Sequence, residues 1–328
     1  MIISIVIPMY NVGNYICRCL DSCILQGQLQ LGTDYEIICV NDGSKDSSEQ
    51  KAREYEKNYS GVSVFSQENR GLSGARNTGL MHAQGDYIWF VDADDWIEVN
   101  CLQRIAEICE KHKLEILQFC AANVVNGIPE RRFHRRNVGK IVEGKECLKH
   151  LFPFCAPFSI YRRSFLIEND LFFYEGVFHE DNEFTPRVFY KAKMVEAIDD
   201  VLYYVFQNPQ SITRTVNPKK SLDCILVMKS LDDFSKDVDE ESKKSFSNII
   251  TLIMNVAFHD TIGLGKNDQK KFSQMFYENR FLIKHLLNAS SWVYRLEACL
   301  LIALPKHPIN IYIFLNYFDK RRIKKQEA

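Results

Sequence analysis

The sequence predicts an α/β protein whose mainly parallel β-sheet is flanked by helices on both faces. Short apolar runs alternate with stretches of helical spacing through the first half of the 328-residue chain, which is the pattern of strand–helix–strand units. The runs are continuous rather than alternately polar, as in strands that are buried on both faces. Both observations favour a mainly parallel sheet.

Four strands and three helices are predicted in this first half. Pro8 closes the first strand, and Asp46 or Ser47 is placed to cap the second helix. In chain order the predicted elements are a strand at 2–7, a helix at 15–23, a strand at 36–40, a polar helix after 47, a strand at 62–65, a helix at 72–83 and a strand at 87–91.

Beyond the fourth strand the pattern becomes less regular. The predicted elements are helices at 99–112, 143–152, 163–169 and 178–192, strands at 115–120 and 201–206, and a polar hairpin around Asn126-Gly127. From about Pro218 the sequence is helical, with an apolar stripe formed by Ile249, Ile250, Leu252, Ile253, Val256 and Ala257. We therefore expect an α/β domain at 1–215 and a helical C-terminal region at 216–328.

The end of the chain leaves two interpretations open. Apolar stretches at 296–304 and up to 318 precede a basic segment at 320–325, and neither reaches the ~20 residues that a membrane span needs. They form either helices packed on the first domain or an interfacial anchor on a membrane surface. The basic run at 131–136 likewise fits either a solvated face or a contact with an anionic acceptor or membrane.

Composition favours a globular protein of a reducing compartment. Hydrophobic residues make up 46% of the chain, enough for a large core, and the net charge of −1 gives no general attraction to nucleic acid. The 11 cysteines are scattered and form no CxxC pair, so we expect reduced thiols. The N-terminus begins directly with a strand and has no signal-peptide pattern, and we expect a cytoplasmic protein.

Polar residues follow all four predicted strands of the first half. Asp92, Asp94 and Asp95 come directly after the strand at 87–91. Because ligands of open α/β sheets bind at the carboxyl ends of the strands, these loops should meet at one edge. The other loops are Pro8-Met9-Tyr10-Asn11, Asn41-Asp42-Gly43-Ser44, and Asn69-Arg70-Gly71 leading to Ala75-Arg76-Asn77.

This set of side chains suits a nucleoside diphosphate. An aromatic ring, a carboxylate and a guanidinium on adjoining loops can bind a nucleobase and its ribose. Asp92 and Asp94 are one residue apart and can turn towards one point, where a divalent cation would relieve their repulsion and bind a diphosphate. Taken alone, the acidic turn is also explained as a cap of the next helix.

With these motifs in order, the chain resembles the inverting glycosyltransferases of family 2, which have the GT-A fold. The resemblance covers about residues 1–215. Its motifs are Ser4-Ile-Val-Ile-Pro-Met-Tyr-Asn11, Val40-Asn-Asp-Gly-Ser44, Asn69-Arg-Gly-Leu-Ser-Gly-Ala-Arg-Asn-Thr-Gly79, Asp92-Ala-Asp94 with Asp95-Trp96, and His179-Glu-Asp181. It implies a nucleotide-sugar donor and a saccharide or lipid-linked acceptor, in bacterial polysaccharide or glycolipid synthesis at the inner face of the membrane.

The resemblance implies nucleotide-binding roles for five residues. Tyr10 resembles the residue that packs on the base, and Pro8 shapes that pocket. Asp42 matches the carboxylate that pairs with the base imide, and Arg76 matches the arginine that reaches the base carbonyl. Asp92 is similar to the acid that contacts ribose. Because Asp42 and Arg76 would recognise the imide and the carbonyl of the base, the resemblance predicts a uridine nucleotide.

The resemblance implies metal binding and base catalysis for the acidic residues. Asp94 resembles the ligand of a Mn²⁺ or Mg²⁺ ion that bridges the two phosphates, with Asp95 beside it in support. Asp181 matches the general base, and Glu180 beside it would raise its proton affinity. Taken alone, Glu180 and Asp181 are also explained as an acidic first turn of a helix.

The sequence departs from the family in one respect. The family often has an arginine after the last strand, just before a segment like the Ser-Ile-Thr at 211–213. Here the expected place holds Phe206, and Arg214 lies downstream. Arg214 is therefore an alternative ligand for the pyrophosphate.

Other classes of nucleotide-binding protein fit less well. A nucleotidyltransferase would carry a glycine-rich, basic loop after the first strand, and an NAD-dependent oxidoreductase would carry G-x-G-x-x-G there. Residues 8–13 form neither. A non-catalytic sugar-nucleotide-binding subunit is a further alternative, against which the intact acidic residues argue.

Overall fold

The computed structural model describes residues 1–125, 127–151, 154–207, 216–289 and 291–315. The chain divides into two compact units, residues 1–176 with 184–212 and residues 177–183 with 213–328. The sheet lies in the first unit, and the C-terminal helices lie in the second. The segment 177–183, which includes Glu180 and Asp181, groups with the C-terminal helices.

Ten strands form one sheet within the described residues. They are β1 (Ile3–Met9), β2 (Tyr35–Asn41), β3 (Val62–Ser66), β4 (Tyr87–Phe90), β5 (Trp96–Ile97), β6 (Ile116–Val125), β7 (Ile128–Phe133), β8 (Ile141–Val142), β9 (Ser159–Arg162) and β10 (Val195–Phe206). The order is β3-β2-β1-β4-β9-β6-β10-β5, with β7 paired to β6 and β8 paired to β10. The predicted α/β class is confirmed.

The half of the sheet formed by β3, β2, β1 and β4 is parallel, as predicted. Its registers align the carboxyl ends, because Met9 lies opposite Asn41 and Asn41 lies opposite Ser66. Every residue of β1, β2 and β4 is buried, which explains their continuous apolar sequences. Two of the polar residues in these strands satisfy each other, since Ser4 Oγ donates to Glu36 Oε1 at 2.6 Å.

The other half of the sheet is mixed. β9 runs antiparallel between β4 and β6, and it was not predicted because only two of its four residues, Ile160 and Tyr161, are apolar. β10 begins at Val195 rather than at 201, with register shifts between Ala197 and Tyr203 that hid its first half. The predicted hairpin is confirmed by the antiparallel pairing of β6 with β7, in which Val125 lies opposite Ile128, although Asn126 itself lies outside the described residues.

Helices flank the strands of the first half as predicted. Those that begin before residue 200 are α1 (Ile16–Ile24), α2 (Ser48–Asn58), α3 (Gly71–His82), α4 (Leu102–His112), α5 (Gly144–Cys147), α6 (Arg163–Glu168) and α7 (Glu180–Lys191). At the start of α2, Asp46 Oδ1 accepts the backbone N–H of Ser48 at 2.9 Å. α3 packs directly on β1, because a Cβ at Gly79 would lie 2.2 Å from Val6 Cγ1.

The second unit is a packed set of helices. They are α8 (Pro218–Phe234), α9 (Glu240–Ile262), α10 (Lys266–Glu278), α11 (Ile283–Asn288) and α12 (Trp292–Ala303), followed by helical backbone at 308–315. The predicted stripe on α9 is buried at Ile249, Ile250, Ile253 and Ala257. Leu252 is 39% exposed instead, because it lies roughly a third of a turn from the centre of the stripe.

The described part of the chain contains no helix with both the length and the apolar character that a bilayer crossing requires.

Candidate active site

The loops that follow β1 and β2 are tied to each other at the carboxyl edge of the sheet. The backbone N–H of Asn11 donates to Ser44 Oγ at 3.1 Å, and that of Lys45 donates to Asn11 Oδ1 at 2.8 Å. Asn11 has a positive φ of 53°, so the chain turns sharply just after Tyr10. Tyr10 is 47% exposed, which leaves its ring accessible for stacking, and Pro8 lies inside the buried end of β1.

Asp42 is buried at the start of α3. Its Oδ1 accepts from Gln67 Nε2 at 2.7 Å and from the backbone N–H of Arg70 at 2.8 Å, and its Oδ2 accepts from the N–H of Gly71 at 2.8 Å. The carboxylate therefore satisfies donors at a helix N-terminus, where negative charge is favoured. Since a carboxylate can accept about four hydrogen bonds, these three leave capacity on Oδ2 for one more donor.

Arg76 and Asp92 form an ion pair. Arg76 Nη2 lies 2.8 Å from Asp92 Oδ1, and the arginine side chain is 1% exposed while the aspartate is partly exposed. The guanidinium also lies 5.0 Å from the ring centre of Phe173. Burial of this cation fixes the nearby carboxylate, because separating the two would leave a buried charge unpaired. Both residues were predicted as site residues from the sequence, but their direct contact was not.

The rest of the 69–79 motif holds the segment at 173–175. Asn77 Nδ2 donates to the carbonyl of Phe173, and Asn77 Oδ1 accepts from the N–H of the same residue, both at 2.9 Å. Arg70 Nη2 pairs with Glu175 Oε1 at 2.6 Å. These contacts give Arg70 and Asn77 a structural role that was not predicted from the sequence.

Asp95 anchors the acidic turn to β10. Its Oδ2 accepts from the hydroxyl of Tyr203 at 2.8 Å, and its Oδ1 accepts from the backbone N–H of Phe206 at 2.7 Å. The Tyr203 hydroxyl in turn accepts from the N–H of Asp92 at 3.1 Å. Burial, and then the negative charges of Asp92 and Asp94, raise the pKa of Asp95 well above its usual range.

Arg18 supports the same turn from α1. Its Nη2 donates to the backbone carbonyl of Asp94 at 2.6 Å, and its guanidinium lies 4.1 Å from the ring centre of Trp96 and 4.4 Å from that of Phe206. Burial lowers the pKa of Arg18, which stays charged because the free guanidinium is so strong a base. Arg18 was not predicted as a site residue, because an arginine on a helix usually faces solvent.

The carboxylates of the acidic turn have different partners. Asp92 contacts Arg76, Asp95 contacts Tyr203 and Phe206, and Asp94 is half-buried between them in sequence. Carboxylate oxygens are ligands that fit Mn²⁺ or Mg²⁺, and a cation would reduce the repulsion that raises the pKa of Asp95. A separate group of potential metal ligands lies elsewhere in the described residues. One ligand atom from each of Cys120, His134 and Asp199 lies within 4.8 Å of the other two.

Glu180 and Asp181 lie at the start of α7, in the part of the chain that belongs to the second unit. Glu180 is buried and Asp181 is half-buried. His179, the residue before them, has a positive φ of 64°. The acidic first turn expected from the sequence is thus present, and a carboxylate there is stabilised by the helix dipole.

The sequence raised two points about arginine, namely the role of Arg214 and the presence of Phe206 where the family often has an arginine. Arg214 lies outside the described residues, so its proposed contact with a pyrophosphate stays a prediction. Phe206 uses its backbone N–H to bind Asp95, and its ring packs against Arg18. A guanidinium therefore does lie beside Phe206, but it comes from α1.

Comparison with known proteins agrees with this geometry. The sequence model described as Glycosyl transferase family 2 matches residues 4–169, just over half of the chain. EpsJ of Bacillus subtilis (strain 168), named an uncharacterized glycosyltransferase, is 35% identical over 223 residues, 65% of this chain and 63% of EpsJ. A poly(ribitol-phosphate) beta-glucosyltransferase of Bacillus spizizenii is 35% identical over 208 residues, 62% of this chain and 32% of that protein. The matched region is thus less than two thirds of either relative.

A solved structure with the same fold covers nearly the whole chain. S. aureus TarS 1–349, in complex with UDP-GlcNAc, has a TM-score of 0.76 over 98% of this chain and 92% of that chain, at 22% identity. The likeness confirms the predicted GT-A fold, including the presence of C-terminal helices. The match of the family model to residues 4–169, which include the loops after β1 and β2 and the acidic turn, identifies the chain as a member of glycosyltransferase family 2.

Proposed function

We propose that this protein is an inverting, metal-dependent glycosyltransferase that transfers a sugar from a UDP-sugar to a hydroxyl group of a saccharide or lipid-linked acceptor. The observation that carries the proposal is the acidic turn, fixed beside the Arg76–Asp92 ion pair at the carboxyl edge of the sheet in a family 2 chain. The UDP-GlcNAc bound to TarS and the name of the Bacillus spizizenii relative support a nucleotide sugar and a cell-surface polymer.

Recognition of the nucleotide is assigned to the loops after β1, β2 and β4. Tyr10 stacks on the base, and Pro8 shapes the pocket below it. The remaining acceptor capacity of Asp42 suits the imide N–H of uracil, a donor that cytosine lacks at this position. Arg76 holds Asp92 for the ribose hydroxyls and supplies donors for a base carbonyl.

A divalent cation is assigned to Asp94. This carboxylate, with the diphosphate of the donor, would hold Mn²⁺ or Mg²⁺, and the ion would act as a Lewis acid that offsets negative charge on the leaving phosphate. Tyr203 and Arg18 keep the turn around Asp94 in place through Asp95, Asp92 and the Asp94 carbonyl.

Asp181 is assigned as the general base. It takes the proton of the acceptor hydroxyl while that oxygen bonds to the anomeric carbon and the bond from this carbon to the diphosphate breaks. UDP leaves from the opposite side, so the product has the inverted anomeric configuration. Proton removal in the transition state is typically worth ~10²–10⁴-fold in rate.

The decisive experiment compares Asp181→Asn with the unchanged protein. A panel of nucleotide sugars first identifies the donor through slow hydrolysis without acceptor. Asn keeps the shape of Asp181 and removes its basic oxygen, so we expect unchanged UDP affinity and at least about a hundredfold slower transfer. The anomeric proton coupling of the unchanged protein's product should report inversion.

Each other outcome would contradict the proposal in a defined way. Retention of configuration, or nearly normal transfer by the Asp181→Asn variant, would refute the assigned mechanism. Release of pyrophosphate with formation of a nucleotide sugar would indicate a nucleotidyltransferase. Binding of UDP-sugars with no turnover of any donor or acceptor would indicate a non-catalytic subunit.

We assign a peripheral contact with an anionic membrane surface to the second unit, which would place the protein at the cytoplasmic face. Four large apolar side chains of its last helices are each more than half exposed, namely Trp292, Ile302, Leu304 and Phe314. Such residues bind the interface when basic groups accompany them, and the basic segment at 320–325 follows them in the sequence. Co-sedimentation with phosphatidylglycerol vesicles that weakens at high salt supports this contact, and absence of binding refutes it.

A further inference from the structure

Two acidic residues of the C-terminal helices hold the segment that leads into α7. The backbone N–H of Phe178 donates to Asp223 Oδ2 on α8 at 2.8 Å. His179 Nε2 lies 3.7 Å from Asp260 Oδ2 on α9. All four residues belong to the second unit. The two residues immediately before Glu180 therefore each contact an acid on a different C-terminal helix, Phe178 through a hydrogen bond and His179 through a longer side-chain contact.

His179 needs such support because its backbone conformation is unfavourable. Its φ of 64° lies in the left-handed region, which costs a residue with a Cβ free energy unless its surroundings fix it. The carbonyl of His179 also accepts the N–H of Asn182 at 3.0 Å, so this residue sets the direction in which α7 begins. A change at His179 would alter the position of Asp181, two residues later.

The supporting acids are themselves held by charge. Asp223 is 4% exposed and pairs with Lys219, whose Nζ also lies 5.4 Å from the ring centre of Phe178. Burial alone would raise the pKa of Asp260, but His179, His259 and Lys220 beside it together lower the pKa. Both carboxylates therefore have a basic side chain beside them, Lys219 at Asp223 and His179 at Asp260.

We propose that Asp223 and Asp260 are positioning residues for Asp181, and that the C-terminal helices thereby belong to the catalytic apparatus. This inference rests on the proposed function of Asp181 as the general base. The C-terminal region then has a part in the reaction beyond binding an acceptor or a membrane. Misplacement of a catalytic group by about 1 Å can cost a hundredfold in rate, so two remote contacts can control turnover.

The test compares Asp260→Ala and Asp260→Asn in the full chain. We expect Asp260→Ala to lower kcat for transfer by about ten- to a hundredfold, with UDP affinity in the presence of Mn²⁺ unchanged within about twofold. Asp260→Asn, which keeps the shape and packing of the side chain without its charge, should recover part of the loss. Asp233→Asn is the matched control, because Asp233 is an exposed acid on α8 that pairs with Lys236, and it should leave kcat unchanged.

The double variant Asp181→Asn/Asp260→Ala separates positioning from a general effect on folding. If Asp260 acts through Asp181, the double variant should be no slower than Asp181→Asn alone. An Asp260→Ala protein with normal kcat would overturn the inference, as would a loss of kcat matched by equal losses in UDP affinity and thermal stability. Normal transfer by Asp181→Asn alone would instead overturn the proposed function.

Asp223 gives an independent arm if Asp260→Ala does not fold. Asp223→Ala removes both the acceptor of the Phe178 N–H and the charge that binds Lys219. We expect a kcat reduced about tenfold with unchanged UDP affinity. A kcat within twofold of the unchanged protein would count against the inference.

Discussion

The hydroxyl group of Tyr203 donates a hydrogen bond of 2.8 Å to Asp95 Oδ2. The same hydroxyl accepts the backbone N–H of Asp92 at 3.1 Å. One side chain of β10 therefore holds both ends of the turn that contains Asp94. Asp94 lies between Asp92 and Asp95 in sequence, so its position depends on Tyr203 even though these two hydrogen bonds are made by its neighbours.

Tyr203→Phe should weaken both the fold and nucleotide binding. Removing the hydroxyl leaves a buried carboxyl group and a buried N–H without this partner, which costs about 1–3 kcal/mol of unfolding free energy. We also expect weaker UDP binding in the presence of Mn²⁺, because the turn loses its anchor. Urea unfolding and calorimetry measure the two effects.

Tyr161→Phe is the matched control for this change. Its hydroxyl is also buried, but it donates to the carbonyl of Ala156 at 3.1 Å and takes no part in the acidic turn. The control should lose stability and keep its UDP affinity. Equal UDP affinities for Tyr203→Phe and the unchanged protein would show that the turn does not depend on Tyr203.

Arg76→Met should reduce UDP affinity at least about tenfold, which corresponds to about 1.4 kcal/mol. Methionine fills a similar volume but leaves Asp92 without its buried cation. Arg104→Met is the control, because Arg104 forms an exposed pair with Asp200 at 3.0 Å, and such pairs contribute ~0–1 kcal/mol. If both variants bind UDP like the unchanged protein, Arg76 has no role in the nucleotide site.

The sequence predicted those features that have a local signal. Continuous apolar runs revealed β1, β2 and β4, and the acids that follow β4 marked the edge where the candidate site lies. The contact of Tyr203 with the acidic turn was not predictable. In the sequence Tyr203 is an aromatic residue of an apolar strand, and its partner Asp92 is 111 residues away. The cap of α3 by Asp42 was missed for the same reason, since it joins residues 28 apart.

Strength of local signal also explains the errors in the sheet. β9 has four residues, and its neighbours β4 and β6 are far from it in sequence. Asp199 and Asp200 interrupt the apolar pattern of β10, because the register shifts there place residues outside regular pairing. Antiparallel insertion and irregular pairing are tertiary features, and the local pattern carries no record of them.

Gly79→Ala should destabilise the protein although alanine is the better helix former. A Cβ at this position would lie 2.2 Å from Cγ1 of Val6, inside the packed contact of α3 with β1. Overpacking costs about 1–3 kcal/mol, which exceeds the ~1 kcal/mol gained in helix propensity. Chemical denaturation measures the difference, and Gly263→Ala, at a position with no atom near its Cβ, should show no such loss.

Glu297→Gln should change the pH dependence of stability. Burial raises the pKa of Glu297 to about 7 in the folded protein. The folded state thus holds this proton more tightly than the unfolded state, and its contribution to stability is lost as pH rises from about 4.5 to above 7. Glutamine does not ionise, so the variant should be more stable than the unchanged protein at pH 8, by up to about 3 kcal/mol, and similar to it at pH 5.

Unfolding curves at pH 5 and pH 8 test this expectation. Glu278→Gln provides the control, because Glu278 is exposed on α10 and its side chain accepts from Gln274. Its effect should not change with pH across this range. A Glu297→Gln protein that is equally stabilised or destabilised at both pH values would show that Glu297 ionises normally.

Asp94→Asn should abolish the dependence of UDP binding on a divalent cation. Asp94 lies in the turn between Asp92, which pairs with Arg76, and Asp95, which is buried against Tyr203, and its carboxylate is the one that we assign to the ion. Asparagine keeps the shape and one neutral oxygen, but it loses the charge that attracts a hard cation. We expect calorimetry to give the same weak UDP affinity with Mn²⁺ and with a chelator.

The contrast with Asp86→Asn makes this result specific. Asp86 is an exposed aspartate in the same unit. It lies just before β4, at the opposite end of this strand from the acidic turn. Its replacement removes one negative charge and should leave the gain in UDP affinity on adding Mn²⁺ intact. The same gain in the Asp94→Asn protein would exclude Asp94 as the ligand. Loss of the gain in both variants would instead mean that overall charge, and not coordination at the turn, controls how Mn²⁺ promotes UDP binding.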